Sequence, residues 1–237
     1  MSTGVAIVIP VFDDAEALAR LLSAIATWPL APAELVVVAA AEDPALTKLC
    51  SSFGCRLIPG RANRGEQLDR GARHTVAPVI WFLHADAEPP ADGLAAIMAA
   101  IEAGADGGCF RFEFQGPRTR TKRLLERFVG LRIRCGGIAY GDQGLFARRD
   151  VYVAAGGFRH QPLFEEVSLV RGLRKRRRFR VLEQPLRVAT RRWERDGWWR
   201  RTWRNRRLAL CYACGVPAER LAGSYHRHVS ARPSPEP

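Results

Sequence analysis

Residues 5–26 read VAIVIPV-FDD-AEALARLLSAIA, and this stretch decides the fold. Val5–Val11 is an unbroken apolar, β-branched run, the pattern of a strand buried on both faces. Asp13 and Asp14 interrupt it. Leu18, Leu21, Leu22 and Ile25 then recur at helical spacing until Pro29 and Pro32 end the helix. The alternation continues with a second buried strand at Leu35–Val38, a helix at Pro44–Phe53 stopped by Gly54, and a third strand at Cys55–Ile58. Glu66–His74 reads as a helix, Val79–Leu83 as a fourth strand and Asp92–Glu102 as a further helix. Strand and helix thus alternate four times before Gly104, which predicts a mostly parallel sheet wrapped by helices. The fold class is α/β.

After Gly104 the pattern changes. Phe110, Phe112 and Phe114 alternate with other residues along Cys109–Phe114, which predicts a strand with one buried face. Longer irregular stretches follow, and residues 231–237 form a Pro-rich tail expected to be disordered. At 237 residues the chain suits one large domain spanning residues 1–230.

The net charge of +13 sits in one place. Ser168–Arg207 carries 16 Lys and Arg against 3 Asp and Glu, and the remainder is balanced. Such a block attracts phosphate in a nucleotide, a lipid headgroup or a nucleic acid, and its sign alone does not choose among them. Trp193, Trp198, Trp199 and Trp203 are interleaved with its arginines, which suits contact with an anionic membrane through residues 171–207. No recognised nucleic-acid motif accompanies it, so nucleic acid is not an expected partner. No apolar run is long enough to span a bilayer and no signal-peptide pattern precedes Asp13, so a cytoplasmic protein, peripheral at most to the inner face of the membrane, is expected. The six cysteines lack framework spacing, and Cys211-x-x-Cys214 has no second ligand pair, so helix packing is its expected role.

Open α/β sheets bind ligands at the carboxyl ends of their strands. The fourth strand ends in Phe82-Leu83-His84-Ala85-Asp86. In extended chain His84 and Asp86 face the same way, close enough to share a divalent ion or a diphosphate; a capping Asp and a packed His are the alternative. Glu165-Glu166 precedes an apparent helix at Val167–Leu173, where the helix dipole favours acidic residues in any case. Asp142 beside Gly141 fits a turn. Neither a G-x-G-x-x-G after the first strand nor a P-loop is present.

Seven segments occur in one order: Val8–Val11, the loop Gly60–Ala72 with Arg64, Gly65 and Gln67, Phe82–Asp86, Tyr140–Gln143, Gly156–Phe158, Glu165-Glu166, and Arg191–Glu194. In this order they resemble family 2 glycosyltransferases of the GT-A fold. The His-Ala-Asp form and the ending Gly215–Leu221 are similar, more narrowly, to a small bacterial subgroup associated with radical-SAM enzymes and arsenosugar biosynthesis. The resemblance implies transfer of a sugar, with inversion, from a nucleotide-diphosphate donor to a small or lipid-linked acceptor. It implies a donor-binding half at 1–104 and an acceptor-binding half at 105–230. It also implies Glu166 as catalytic base, where the family has Asp, and Asp86 as ligand to Mg²⁺ or Mn²⁺. Donor contacts would come from Pro10, Asp13, Asp14, Arg64, Gln67, His84, Arg192 and Trp193, the last two on a lid. Acceptor contacts would come from Asp142, Gln143 and Glu165. Two departures stand out. Asp13-Asp14 replaces the usual Asn-Glu, and Ala39-Ala40-Ala41 replaces the stretch whose Asp grips the nucleotide. A diverged, non-catalytic sugar-nucleotide or phosphate-binding module on the same fold is therefore the competing expectation.

Overall fold

The computed structural model describes residues 4–226, with side chains through Gly223; the Pro-rich tail lies outside the described residues. The first half alternates as expected. It runs β1 (Val5–Val11), α1 (Ala15–Ala26), β2 (Glu34–Ala39), α2 (Pro44–Ser52), β3 (Arg56–Pro59), α3 (Arg64–Arg73), β4 (Val79–Phe82) and α4 (Gly93–Glu102). The helix start at Arg64, two residues earlier than its apolar spacing suggests, follows from Asn63, whose side chain accepts the Glu66 amide at 3.0 Å. Asp14 and Asp43 cap α1 and α2 in the same way.

The second half adds β5 (Gly107–Phe114), α5 (Arg120–Arg134), a 3₁₀ turn at Gly141–Gln143, β6 (Phe146–Arg148), α6 (Arg149–Ala154), α7 (Val167–Lys175), β7 (Phe179–Val188), α8 (Arg191–Asp196), α9 (Trp198–Ala213) and α10 (Ala218–His226). All seven strands belong to one sheet in the order β3-β2-β1-β4-β6-β5-β7. Strands β1 to β4 are parallel, β6 runs antiparallel between β4 and β5, and β7 pairs parallel with β5. The sheet is mostly parallel and flanked by helices, as the sequence predicts.

Alternation within β1 sorts the core. Ile7 and Ile9 join Trp81, Phe110, Leu18, Leu22 and Ile97 on one face, while Val8 joins Ile80, Phe82, Leu169 and Leu173 on the other. Burying each such side chain contributes roughly 1.5–3 kcal/mol, so the two layers hold the strand ends in fixed positions. One expectation is corrected here: β5 is buried on both faces, not one. It lies between β6 and β7, and its Glu113 is tolerated inside because Arg111, Arg118 and Arg187 pair with it at 3.1, 3.2 and 3.1 Å.

Candidate active site

The residues that matter stand at the carboxyl ends of β1, β2 and β4 and on the loops facing them. Gln67, buried on α3, donates its side-chain amide to the carbonyls of Val11 and Val38, both at 2.8 Å. It therefore ties together the ends of β1 and β2 and shapes the floor. Pro10, half-buried near the end of β1, lies in register with Val38. Gly65 lets α3 approach the loop before Glu165: a Cβ there would stand 2.0 Å from the Arg159 carbonyl oxygen.

That approach brings Arg64 onto Glu165, whose carboxylate accepts from the guanidinium Nε and is 1% exposed. Glu166 beside it is 2% exposed, and one carboxylate oxygen of each has no hydrogen-bond partner. Burial first, then repulsion from Glu165, pushes Glu166 up to about 8, against the opposing pull of Arg64. A buried carboxyl poised near neutrality suits proton transfer. Phe164, which precedes the glutamate pair, adopts a left-handed backbone (φ 61°) that a non-glycine residue rarely takes. Its ring is held there by stacking on Tyr212 of α9 at 4.7 Å and lies 6.1 Å from Tyr140.

Asp142 on the 3₁₀ turn belongs to the same cluster. Burial raises its pKa, Arg132 and Arg64 oppose that, and Asp86 adds to it. Gln143 is fully buried, and its Oε1 accepts the Tyr140 amide at 3.2 Å, so it builds the turn that presents Asp142. His84 has its Nε2 shut off from solvent without a hydrogen-bond partner. Burial, then the charges of Arg64 and Arg192, lower its pKa to about 3, leaving the imidazole neutral. Arg192 thus lies within electrostatic reach of the His84–Asp86 turn. Its neighbour Arg191 reaches Asp14 at 3.7 Å, closing α8 over the β1–α1 loop, while Asp13 stays exposed. Trp193 is set against Phe114 at 5.1 Å and under Arg201 at 5.1 Å, so its indole anchors α8 to β5.

His84, Asp86, Asp142, Glu165, Glu166, Arg64 and Arg192 therefore form one electrostatically connected group. Residues 6–164 match the family model described as glycosyl transferase family 2. The chain belongs to that family. Solved structures with the same fold include glucosyl-3-phosphoglycerate synthase from Mycobacterium tuberculosis in complex with Mn²⁺, UDP and glucosyl-3-phosphoglycerate. It is 16% identical, with TM-score 0.61, over 90% of this chain and 80% of that one. The mannosyltransferase PcManGT from Pyrobaculum calidifontis, in complex with GDP-Man and Mn²⁺, is 17% identical with TM-score 0.63 over 95% and 70% of the two chains. S. aureus TarS in complex with UDP-GlcNAc is 12% identical with TM-score 0.61 over 80% and 58%. At these identities the likeness establishes the GT-A fold. No curated protein sequence matches significantly.

Three participants in this glycosyltransferase's candidate site carry no clear signal in the sequence. Arg132 stacks over the Tyr140 ring at 4.6 Å, yet in the chain it is one of many arginines. Phe164 and Tyr212 meet only because α9 returns across the site. Ala39, at the end of β2, is buried and brings no carboxylate to the floor.

Among the described residues no three His, Cys, Asp or Glu side chains form a metal-binding group. The local chemistry nevertheless suits a divalent ion shared with a substrate. The segment after β4 turns instead of staying extended as the sequence predicts, the Ala87 amide donating to the His84 carbonyl at 3.1 Å; within it His84 Nε2 has no partner and Asp86 acts electrostatically on Asp142. Mg²⁺-type ions are commonly held by one or two carboxylates plus substrate phosphates.

Proposed function

We propose that this protein is an inverting glycosyltransferase that moves a sugar from a nucleotide-diphosphate donor to a hydroxyl of a small or lipid-linked acceptor. The observation that carries this reading is the convergence of a near-neutral buried carboxyl, Glu166, with Asp86, Asp142, Arg64 and Arg192 at the carboxyl edge of the sheet. In the step, the acceptor oxygen forms a bond to the anomeric carbon. The bond from that carbon to the diphosphate oxygen breaks, and the hydroxyl proton passes to Glu166. Arg64 keeps Glu166 from being protonated too firmly, and Arg192 faces the departing charge. Asp86 and His84 would hold Mg²⁺ or Mn²⁺, and that ion, when bound, neutralises charge developing on the leaving diphosphate. The His84-Ala85-Asp86 form and Gly215–Leu221 support placement in the radical-SAM-associated subgroup.

Residues 171–207 are proposed to contact an anionic membrane surface. Trp199 and Trp203 are 48% and 70% exposed beside Arg200, Arg206 and Arg207, which supports that contact, and no described helix is long and apolar enough to cross a membrane. The donor reaction is tested by measuring nucleotide diphosphate released from a panel of UDP-, GDP- and dTDP-sugars with Mg²⁺ or Mn²⁺. Release is expected from the wild type and lost in Asp86→Ala and Glu166→Gln; a folded wild type inert toward the whole panel overturns the reading.

Ala39 favours a second reading, a binding module without catalysis. Asp43, a candidate substitute for the missing carboxylate, accepts the Ala45 amide at 2.8 Å and so caps α2 instead. Calorimetry that finds nucleotide binding without turnover selects this alternative.

A further inference from the structure

Beneath α9 lies a cavity of about 520 Å³ that borders the transfer site through Asp142 and Trp193 and whose apolar remainder the transfer step does not use. Phe112 and Phe114 of β5 form one wall, Leu125 and Val129 of α5 another, and Ala209 and Ala213 of α9 the roof. The inner end is polar. Asp142, Tyr140 and Arg132 line it, and Asp142 acts electrostatically on Glu166, so the cavity and the reaction centre share a boundary. The outer end is apolar and open. Phe128 and Leu210 line it at 41% and 66% exposure, and Arg206 stacks over Phe128 at 5.6 Å where α5 and α9 meet. Two polar side chains of α9 interrupt the lining between these ends: Thr202, whose hydroxyl donates to the Trp198 carbonyl at 2.8 Å, and Asn205, whose Oδ1 is buried without a hydrogen-bond partner. A buried acceptor atom in that state favours a ligand that brings a donor.

We infer that this cavity holds the apolar portion of the sugar acceptor. The acceptor is then an amphiphile whose hydroxyl reaches Asp142 and Glu166 while an aliphatic or aromatic tail lies under α9. The volume is that of sites holding ligands of several to a few tens of heavy atoms. A wholly polar acceptor would leave these aromatic and aliphatic walls facing water or an unmatched surface, whereas a tail removes them from it. The inference rests on the transferase reading for the hydroxyl's role, but occupancy of the cavity is separable from turnover.

The test uses 1-hexanol, 1-octanol and 1-decanol as probes in calorimetry, with UDP and GDP plus Mn²⁺ titrated separately. Affinity is expected to rise about fourfold per added methylene until the cavity is filled. Ala209→Trp, which plugs the roof, should weaken alkanol binding by more than about tenfold and leave nucleotide binding unchanged. Should Ala209→Trp fail to fold, Ala213→Leu at the end of α9 is the substitute. Phosphatidylcholine vesicles carrying phytol distinguish the source of the tail. Recruitment that Ala209→Trp abolishes marks a bilayer-borne acceptor, and octanol binding without recruitment marks a soluble one; both uphold the cavity's role. Nucleotide binding with no chain-length dependence, or equal alkanol affinity in the plugged variant, overturns the inference and leaves the transferase reading standing. Alkanol binding by a protein that takes up no nucleotide overturns the transferase reading and the acceptor role with it.

Discussion

Glu166→Gln should raise stability while destroying activity. In the folded protein the carboxyl's pKa moves from 4.5 to about 8, chiefly because burial disfavours its charged form. A carboxyl whose folded pKa is raised carries no penalty below pH 4.5, where both states are protonated. As pH rises the unfolded chain ionises first, and the folded state loses stability until the folded group ionises too, near pH 8. At about 1.4 kcal/mol per unit, the shift corresponds to about 3 kcal/mol at pH 7 and about 5 kcal/mol above pH 8. Glutamine has nearly the same shape and does not ionise. Urea unfolding of both proteins at pH 5, 7 and 8.5 should therefore show curves that nearly meet at pH 5 and separate by about 3–5 kcal/mol at the alkaline end, with the variant on top. Turnover in the variant should fall by a factor of about 10² or more, the scale of a lost general base. In the wild type, kcat/KM should climb with pH toward 8, as Glu166 gives up its proton. Parallel stability curves, or a variant less stable than wild type at pH 8.5, would refute the claim that Glu166 is held as a buried, strained base.

Arg64→Ala removes the partner of a carboxylate that is 1% exposed, and because the arginine itself is 43% exposed the loss should sit near the low end for buried pairs, about 2–3 kcal/mol. The same change should move the rising limb of the pH–rate profile to higher pH, since Arg64 lowers the Glu166 pKa. Gln67→Leu orphans two buried carbonyls, Val11 and Val38; a loss of about 2–4 kcal/mol in urea melts is expected, with weaker nucleotide binding by calorimetry. Trp199→Ser combined with Trp203→Ser should reduce co-sedimentation with phosphatidylglycerol vesicles and leave turnover of soluble substrates intact; unchanged sedimentation would count against membrane contact.

The first half of the fold was legible because its strands are short, buried on both faces and punctuated by proline and glycine. The second half was less so for reasons visible in particular elements. Three residues, Phe146–Arg148, make β6, too few for any period to register. Strand β7 contains Arg180, Arg187 and Pro185 and merges with a basic run; it is tolerated because it forms the sheet edge, where proline leaves no ladder partner unsatisfied. At the site, the local sequence around Glu165-Glu166 also fits two solvated carboxylates at a helix start. The close approach of α3 to Glu165 through Gly65 helps bury them and so changes their chemistry. Gln67 shows the converse: it stands where a ligand contact is expected, and the structure engages its amide with two strand ends.

Phe164 links regions that are remote in the chain. A backbone turned into a conformation costing roughly 1–3 kcal/mol is held here by the Val167 amide donating to the Phe164 carbonyl at 3.1 Å and by the ring resting on Tyr212 of α9. The glutamates' setting thus leans in part on α9, the same helix that roofs the apolar chamber. Replacing α9 would reshape the chamber's roof and loosen the ring support of Phe164 in one stroke. Changes to α9 therefore reach both at once.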